Sequence, residues 1–123
     1  IILRDQAVEL QNRELAALAD NAFAKGIEIN QYYPDNFIER IRLHRDHRAL
    51  LEKPANPETL LQWIEHVRTW NPHLLSVKIE YARTLAFSGK KQEAMLFAKQ
   101  MQSKNPESKA IEKLINDLEQ GIN

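Results

Sequence analysis

The residues of this chain that could do chemistry are its 4 histidines, two of which stand three positions apart in His44-Arg45-Asp46-His47. Histidines at this spacing can share one face of a helix, as two metal ligands would. A zinc site needs three or four ligands, and no third ligand is spaced to join this pair. Because His44 also falls in line with Phe37 and Ile41, we interpret it as a partly buried structural side chain and predict no metal site.

Nucleophilic catalysis has no better candidate. His66 and His73 flank helix ends, and neither has a serine or aspartate at a spacing that suggests a catalytic pair. The chain's 3 glycines are too scattered to form an oxyanion turn or a phosphate-cradling loop. Since there is no cysteine, there is also no thiolate to act as a nucleophile or zinc ligand. We therefore predict a domain that is not an enzyme and takes no cofactor.

Basic side chains are densest between residues 40 and 48, where the chain has Arg40, Arg42, Arg45 and Arg48. Two acidic residues, Glu39 and Asp46, lie close to them. Guanidinium groups suit carboxylates and phosphates. This stretch is either a solvated helix face or a contact for an anionic group of a partner. The whole chain has 17 basic and 17 acidic residues, and this balance argues against nucleic-acid binding, which favours a strongly basic face.

Four aromatic residues also allow two interpretations: Tyr32, Tyr33, Trp63 and Trp70. They either pack between neighbouring units or form a surface on which a sugar or a peptide stacks. Aromatic side chains at helical spacing usually belong to a core.

Helices are the elements that must position these residues. Apolar residues recur at three- to seven-residue steps, and no segment alternates apolar and polar residues as a strand would. The first helix, over residues 2–29, carries an apolar stripe of Val8, Leu15, Leu18, Ala22 and Ile29. Further helices are predicted from residue 37 and over 58–70, 73–88, 91–103 and 108–120. The predicted class is all-α.

Helix-breaking residues separate these segments. Tyr33-Pro34-Asp35-Asn36 ends the first pattern, and Asp35 or Asn36 can cap the second helix. Ser108 can cap the last helix, and Gly89 can take the left-handed conformation that closes a helix.

No apolar run is long enough for a membrane span, so we expect no membrane insertion. Ile1-Ile2-Leu3 is either the tail of a removed span or the first turn of a helix. Because the first residue is not methionine, we expect a processed product or a piece of a longer chain.

A repeat is visible in the spacing of the helix stops. Asn71-Pro72 and Asn105-Pro106 lie 34 residues apart and enclose two helices joined by a glycine-containing turn. This period and layout resemble a tetratricopeptide unit. Gly89, Glu93-Ala94 and Pro106 stand where that family has its turn glycine, its Glu-Ala pair and its closing proline. The resemblance implies one domain of antiparallel hairpins stacked as a short right-handed superhelix.

The first part of the chain resembles the family more loosely. Ala19 and Phe23 match its small residue and the aromatic residue four places later, and Asn30-Gln31 stands where Asn-Pro is expected. From there to Asn71-Pro72 is 41 residues, so the middle unit carries about seven extra residues, mostly around Leu51 to Asn56. The implied units are 1–33, 34–72 and 73–106, followed by a capping helix over 107–120.

In tetratricopeptide arrays the first helix of each unit lines a concave surface. The resemblance therefore implies a groove with six lining residues: Ile38, Arg42, Arg45, Ile79, Arg83 and Phe87. The expected partner is a protein or peptide segment, including one with an anionic group, and the expected function is that of a scaffold. The sequence leaves the compartment unknown: it is periplasmic if the resemblance described next holds, and otherwise we expect it to be cytoplasmic.

A second resemblance rests on fewer residues. The pattern Gly89-x3-Glu93-Ala94 with its closing Pro106 is similar to the periplasmic C-terminal region of bacterial O-antigen-ligase-type membrane proteins, including pilin oligosaccharyltransferases. This resemblance implies a periplasmic domain that helps to position a glycan or an acceptor protein. The catalytic residues of that family lie in a loop between its spans, and none of that region is present in these 123 residues.

Overall fold

The computed structural model describes residues 2–121, except for the side chains of residues 2–5 and 7. Its elements are α1 (Ile2–Ile29), α2 (Pro34–Asp46), a 3-10 helix (Arg48–Leu50), α3 (Pro57–Trp70), α4 (Leu75–Phe87), α5 (Lys91–Lys104) and α6 (Lys109–Glu119). Residues 2–121 contain no strand, so the predicted all-α class is confirmed. None of the described helices combines the length and apolar character that a membrane span needs. Of the segment Ile1-Ile2-Leu3, Ile1 and the side chains lie outside the described residues.

Prolines begin two of the helices. Pro34 and Pro57 lie at the start of α2 and α3, where the missing N–H would have no partner in any case. The predicted cap at Asp35 or Asn36 is wrong, because the helix has already begun at Pro34 and Tyr33 is the cap residue. Ser108 caps α6 as predicted, since its Oγ accepts the backbone N–H of Ile111 at 3.3 Å.

One type of connector occurs three times. After α1, α3 and α5 the chain passes through an asparagine, two turn residues and one extended residue before the next helix: residues 30–33, 71–74 and 105–108. Asn71 has φ −139° and ψ 56°, and Asn105 has φ −136° and ψ 64°. Each of these two donates its side-chain amide to the carbonyl four residues earlier, at 3.3 Å. The 34-residue interval therefore repeats a conformation as well as a sequence.

The chain forms two compact units, Ile1–Ala55 and Asn56–Asn123, which we call unit 1 and unit 2. The boundary falls inside the expected middle unit 34–72, within the stretch that the spacing predicts to be extra. Asn56 begins unit 2 as the cap of α3, and its side chain accepts the backbone N–H of Thr59 at 2.8 Å.

In unit 1, α2 packs against α1. Gly26 of α1 lies where α2 approaches closely, because a Cβ atom there would collide with the side-chain amide of Asn36. The predicted apolar stripe is instead exposed, with Val8, Leu15, Leu18 and Ile29 each more than half exposed. A side chain as large as leucine would hold the two helices apart, whereas glycine permits the close approach.

Residues 47–55 lead from α2 to the end of unit 1 without forming an α-helix. The 3-10 helix within them contacts both α1 and α2. Arg48 donates to the backbone carbonyl of His44 at 3.1 Å and also to that of Ala55. Its guanidinium group therefore links the end of this segment to the end of α2.

In unit 2, α4 is the central helix and packs against α3, α5 and α6, while α5 also packs against α6. One cluster of its buried core is drawn from α4, α5 and α6: Ala82, Leu85, Ala94, Ala98, Met101, Ile111, Leu114, Ile115 and Leu118. Leu60, Ile64 and Val67 of α3 are buried as well. Ala82, Ala94 and Ala98 are fully buried. Small side chains at these positions let α4 and α5 lie close together.

Gly89 closes α4 as predicted. Its φ of +85° is in the left-handed region, which other residues adopt only with strain. The N–H of Lys90 donates to the carbonyl of Leu85 at 2.9 Å, and the N–H of Gly89 donates to that of Ala86 at 3.1 Å. These two bonds form a Schellman motif. Because only three residues join α4 to α5 and the two helices pack together, they run antiparallel.

Candidate partner-binding surface

Three of the predicted groove residues lie on α4 at intervals of four, so Ile79, Arg83 and Phe87 follow one another along one side of the helix. Ile79 is half-buried and packs against the core of unit 2, and Phe87 is also half-buried. The side chain of Arg83 is 14% exposed. These three residues therefore form a partly buried row in which the guanidinium group of Arg83 lies between two apolar side chains.

Arg83 has an acidic partner on α6. Its Nη1 atom lies 3.0 Å from Oδ2 of Asp117, whose side chain is 15% exposed. The two residues stand 34 positions apart, which is the interval between Asn71 and Asn105. Helices α4 and α6 therefore meet through positions that differ by one repeat interval.

Asp117 also interacts with Lys113, whose Nζ atom lies 3.4 Å from the same carboxylate oxygen. Burial acts to raise the pKa of Asp117, but the hydrogen bond and charge of Arg83, together with Lys113, outweigh it and lower the pKa. The carboxylate is therefore ionised at neutral pH. Unlike Arg83, Lys113 extends into solvent, with 72% of its side chain exposed.

The other three predicted groove residues lie on α2 in unit 1. Ile38 and Arg45 are only 4% and 5% exposed, so both side chains are covered. Arg45 donates two hydrogen bonds to the carboxylate of Asp46, at 2.8 and 2.9 Å. Arg42 is more exposed and pairs with Glu39 at 2.9 Å. Each arginine of the predicted groove thus has an acidic neighbour, which an anionic ligand would have to displace.

His44 is buried beside Phe37 and Ile41, as their alignment predicts, and both of its ring nitrogens have partners. Nδ1 accepts the backbone N–H of Ala55 at 2.8 Å, and Nε2 lies 2.7 Å from Oδ1 of Asp20. An amide N–H can only donate, so the proton of the neutral imidazole lies on Nε2 and is donated to Asp20.

The same oxygen of Asp20 accepts a second hydrogen bond, from Nε of Arg40 at 2.8 Å. Burial acts to raise the pKa of Asp20, but the hydrogen bonds and charges of Arg40 and His44 outweigh it and lower the pKa. We call these residues the unit 1 polar network: Asp20, Arg40, His44, Arg48 and Ala55. The network links α1, α2 and the last residue of unit 1.

The four aromatic residues with open roles differ in burial. Trp63 is half-buried, which favours packing, whereas Tyr32, Tyr33 and Trp70 are exposed. Tyr33 donates its hydroxyl to Oδ2 of Asp35 at 2.8 Å, and this hydrogen bond raises the pKa of the phenol.

A cation and two aromatic rings join three helices of unit 2. The guanidinium carbon of Arg68 on α3 lies 3.7 Å from the ring centre of Tyr81 on α4 and 5.6 Å from that of Phe97 on α5. The two rings meet edge to face with centres 5.1 Å apart. Arg68 also pairs with Glu65 at 3.1 Å. Contacts of this kind stabilise the packing of α3 on the α4–α5 hairpin.

Two acidic partners were not predicted from the sequence: Asp117 in unit 2 and Asp20 in unit 1. Asp117 had a recognisable signal, because it lies one 34-residue interval after Arg83. Asp20 had none, because an isolated acid in a helical pattern does not indicate which helix will pack beside it.

Comparison of the chain with protein-family models, with curated proteins and with solved structures finds no match. Among the described side chains, no three His, Asp or Glu residues gather as the ligands of a metal would.

Proposed function

We propose that this chain is a tetratricopeptide-like scaffold module that binds a protein or peptide segment and does no chemistry of its own. The observation that carries the proposal is the ion pair between Arg83 and Asp117, 34 positions apart on α4 and α6. A contact between equivalent positions is what a stack of repeated hairpins produces, because each repeat touches the next in the same way.

Two further features support a repeated hairpin. The connectors after α3 and α5 have matching asparagine conformations and matching side-chain hydrogen bonds. The α4–α5 hairpin also contacts one helix before it, α3, and one helix after it, α6. In a stacked array each hairpin buries its apolar side chains against the helix before it and the helix after it, in this order.

The proposed binding surface in unit 2 is the side of α4 that carries Ile79, Arg83 and Phe87, together with the adjacent side of α6. Arg83 is already neutralised by Asp117, so the surface favours a segment with apolar side chains rather than a highly charged one. An anionic group on the partner would interact with the exposed ammonium group of Lys113, which lies within this surface. A short surface of this kind supports affinities of roughly micromolar strength.

A non-catalytic role is supported by the state of His44. A general base needs a free lone pair within reach of a substrate. In His44, Nδ1 already accepts the N–H of Ala55, Nε2 faces Asp20, and the residue is buried. This histidine therefore serves the structure of unit 1.

The proposal is tested with peptides selected from a displayed random library for binding to the full chain. The variant Arg83→Ala/Asp117→Ala removes the ion pair without leaving a lone buried charge. Because this pair holds the adjacent sides of α4 and α6 together, we expect its loss to weaken the selected peptides by about 5- to 150-fold, the equivalent of about 1–3 kcal/mol. The matched control is Glu9→Ala/Arg13→Ala, which removes an exposed ion pair from α1.

Full affinity in the Arg83→Ala/Asp117→Ala variant would refute the binding surface. A library that yields no peptide with saturable binding would refute the scaffold function itself. An equal loss in the α1 control would show that charge removal in general, rather than the α4–α6 surface, decides binding.

A further inference from the structure

The hydrogen bond between His44 and Ala55 lies at the junction of the two units. Ala55 is the last residue of unit 1, and Asn56 is the first residue of unit 2 and the cap of α3. The bond therefore attaches the far end of residues 47–55 to α2. Arg48 provides a second attachment, because it donates to the Ala55 carbonyl and to the carbonyl of His44 at the end of α2.

The bond depends on the protonation state of the imidazole. Nδ1 accepts the N–H of Ala55 only while Nδ1 carries no proton. A second proton on the ring must go to Nδ1, because Nε2 already carries the first. Two N–H groups would then face each other at 2.8 Å, and the Ala55 amide would lose its acceptor.

Charged groups on α1, α2 and the 3-10 helix lie around His44. The carboxylate of Asp20 on α1 is ionised and accepts from Nε2. Arg40 on α2 donates to the same oxygen of Asp20. Arg48 of the 3-10 helix donates to the carbonyl of His44 and to that of Ala55.

We propose that His44 is an acid-sensitive latch on the segment that joins the two units. In the neutral state His44 and Arg48 both hold Ala55 against α2. On protonation His44 releases the Ala55 amide, the hydrogen bond from Arg48 to the Ala55 carbonyl persists, and the end of residues 47–55 loosens from α2. This change needs no binding partner, so the proposal does not depend on the scaffold function.

The experiment follows the full chain by NMR between pH 7.5 and about 5, the range in which histidines commonly change charge. The nitrogen signals of the His44 ring give its tautomer, and the exchange protection factor of the Ala55 amide reports the bond. We expect Nε2 to carry the proton at pH 7.5. We also expect the Ala55 protection factor to fall at least tenfold as the His44 ring becomes doubly protonated.

Two variants serve as controls. In His44→Gln the side-chain amide can accept from Ala55 and donate to Asp20 without titrating, so the protection at Ala55 should become independent of pH. In His47→Gln an exposed histidine of the same segment is removed, and the wild-type response should persist.

Three results would overturn the latch: a proton on Nδ1 at pH 7.5, an Ala55 amide that stays protected after His44 is doubly protonated, or an unchanged pH response in His44→Gln. The first two are measured on the wild-type chain, so they decide the matter even where the glutamine variant folds poorly.

Discussion

Arg83 on α4 and Asp117 on α6 meet at 3.0 Å, although neither belongs to the turn or core residues that mark the repeat. Their positions differ by 34, the same interval that separates Asn71 from Asn105. Two independent observations therefore agree at this ion pair: the 34-residue spacing in the sequence and the contact between α4 and α6. It also places both charges where only about a seventh of each side chain reaches solvent.

A double-mutant cycle measures this contact. We expect Arg83→Ala and Asp117→Ala each to lower the free energy of unfolding, and the double variant to lose less than the sum, with a coupling of about 1–2 kcal/mol. The coupling is expected to exceed that of an exposed pair because water screens these two charges less. Chemical denaturation of the four proteins supplies the values. Additive losses would mean that the two side chains do not interact in solution.

Acid should weaken the same contact. Because the folded chain lowers the pKa of Asp117, the ionised carboxylate adds stability that is complete above its unfolded pKa of about 3.9. That stability disappears as the pH falls through the lower folded pKa. We therefore expect the stability difference between wild type and Asp117→Asn to be largest near neutral pH and to shrink below about pH 4. A difference that stays constant down to pH 2 would contradict the charged pair, and Glu119→Gln on the same helix is the control.

Ala94 tests the close packing of α4 on α5. It is fully buried, so the larger side chain in Ala94→Leu must push the two helices apart. We expect a loss of about 1–3 kcal/mol in the free energy of unfolding. Leu96→Ala, an exposed position of the same helix, should change it by less than about 0.5 kcal/mol. An unchanged denaturation midpoint for Ala94→Leu would place this residue away from the helix crossing.

Gly89 tests the turn between the same two helices. A Cβ atom added there would meet no other atom within 4 Å, so only the positive φ opposes substitution. We expect Gly89→Ala to cost about 1 kcal/mol and Gly89→Asn to cost less, because asparagine enters the left-handed region more readily. Thermal unfolding of the two variants measures the difference. Equal stability of wild type and Gly89→Ala would mean that the turn has another conformation.

The helical elements of this chain were predictable because each has a local cause. Asn56 and Ser108 cap helices, Gly89 ends one, and apolar residues recur with a helical period between them. The error at Asp35 also has a local cause, since Pro34 itself can begin a helix and its neighbours then cannot cap it.

The choice of packing side was harder to predict. The periodic stripe of Val8, Leu15 and Leu18 is the obvious apolar face of α1, yet these side chains are exposed. Helix α2 approaches α1 at Gly26, where the absence of a side chain leaves room for Asn36. The hydrophobicity of α1 alone does not reveal this position. The polar network of Asp20, Arg40 and His44 was missed for a related reason: it depends on which residues two helices bring together, and no spacing within either helix encodes that.

The most direct test of the repeated hairpin is chemical cross-linking of two introduced cysteines, which the chain permits because it has no cysteine of its own. With a short bismaleimide, the variant Arg83→Cys/Asp117→Cys should form an intramolecular cross-link in high yield. Arg83→Cys/Glu119→Cys should not, because residue 119 lies about 200° around α6 from residue 117. Equal yields from the two variants, or a higher yield with residue 119, would contradict the contact between positions one repeat interval apart.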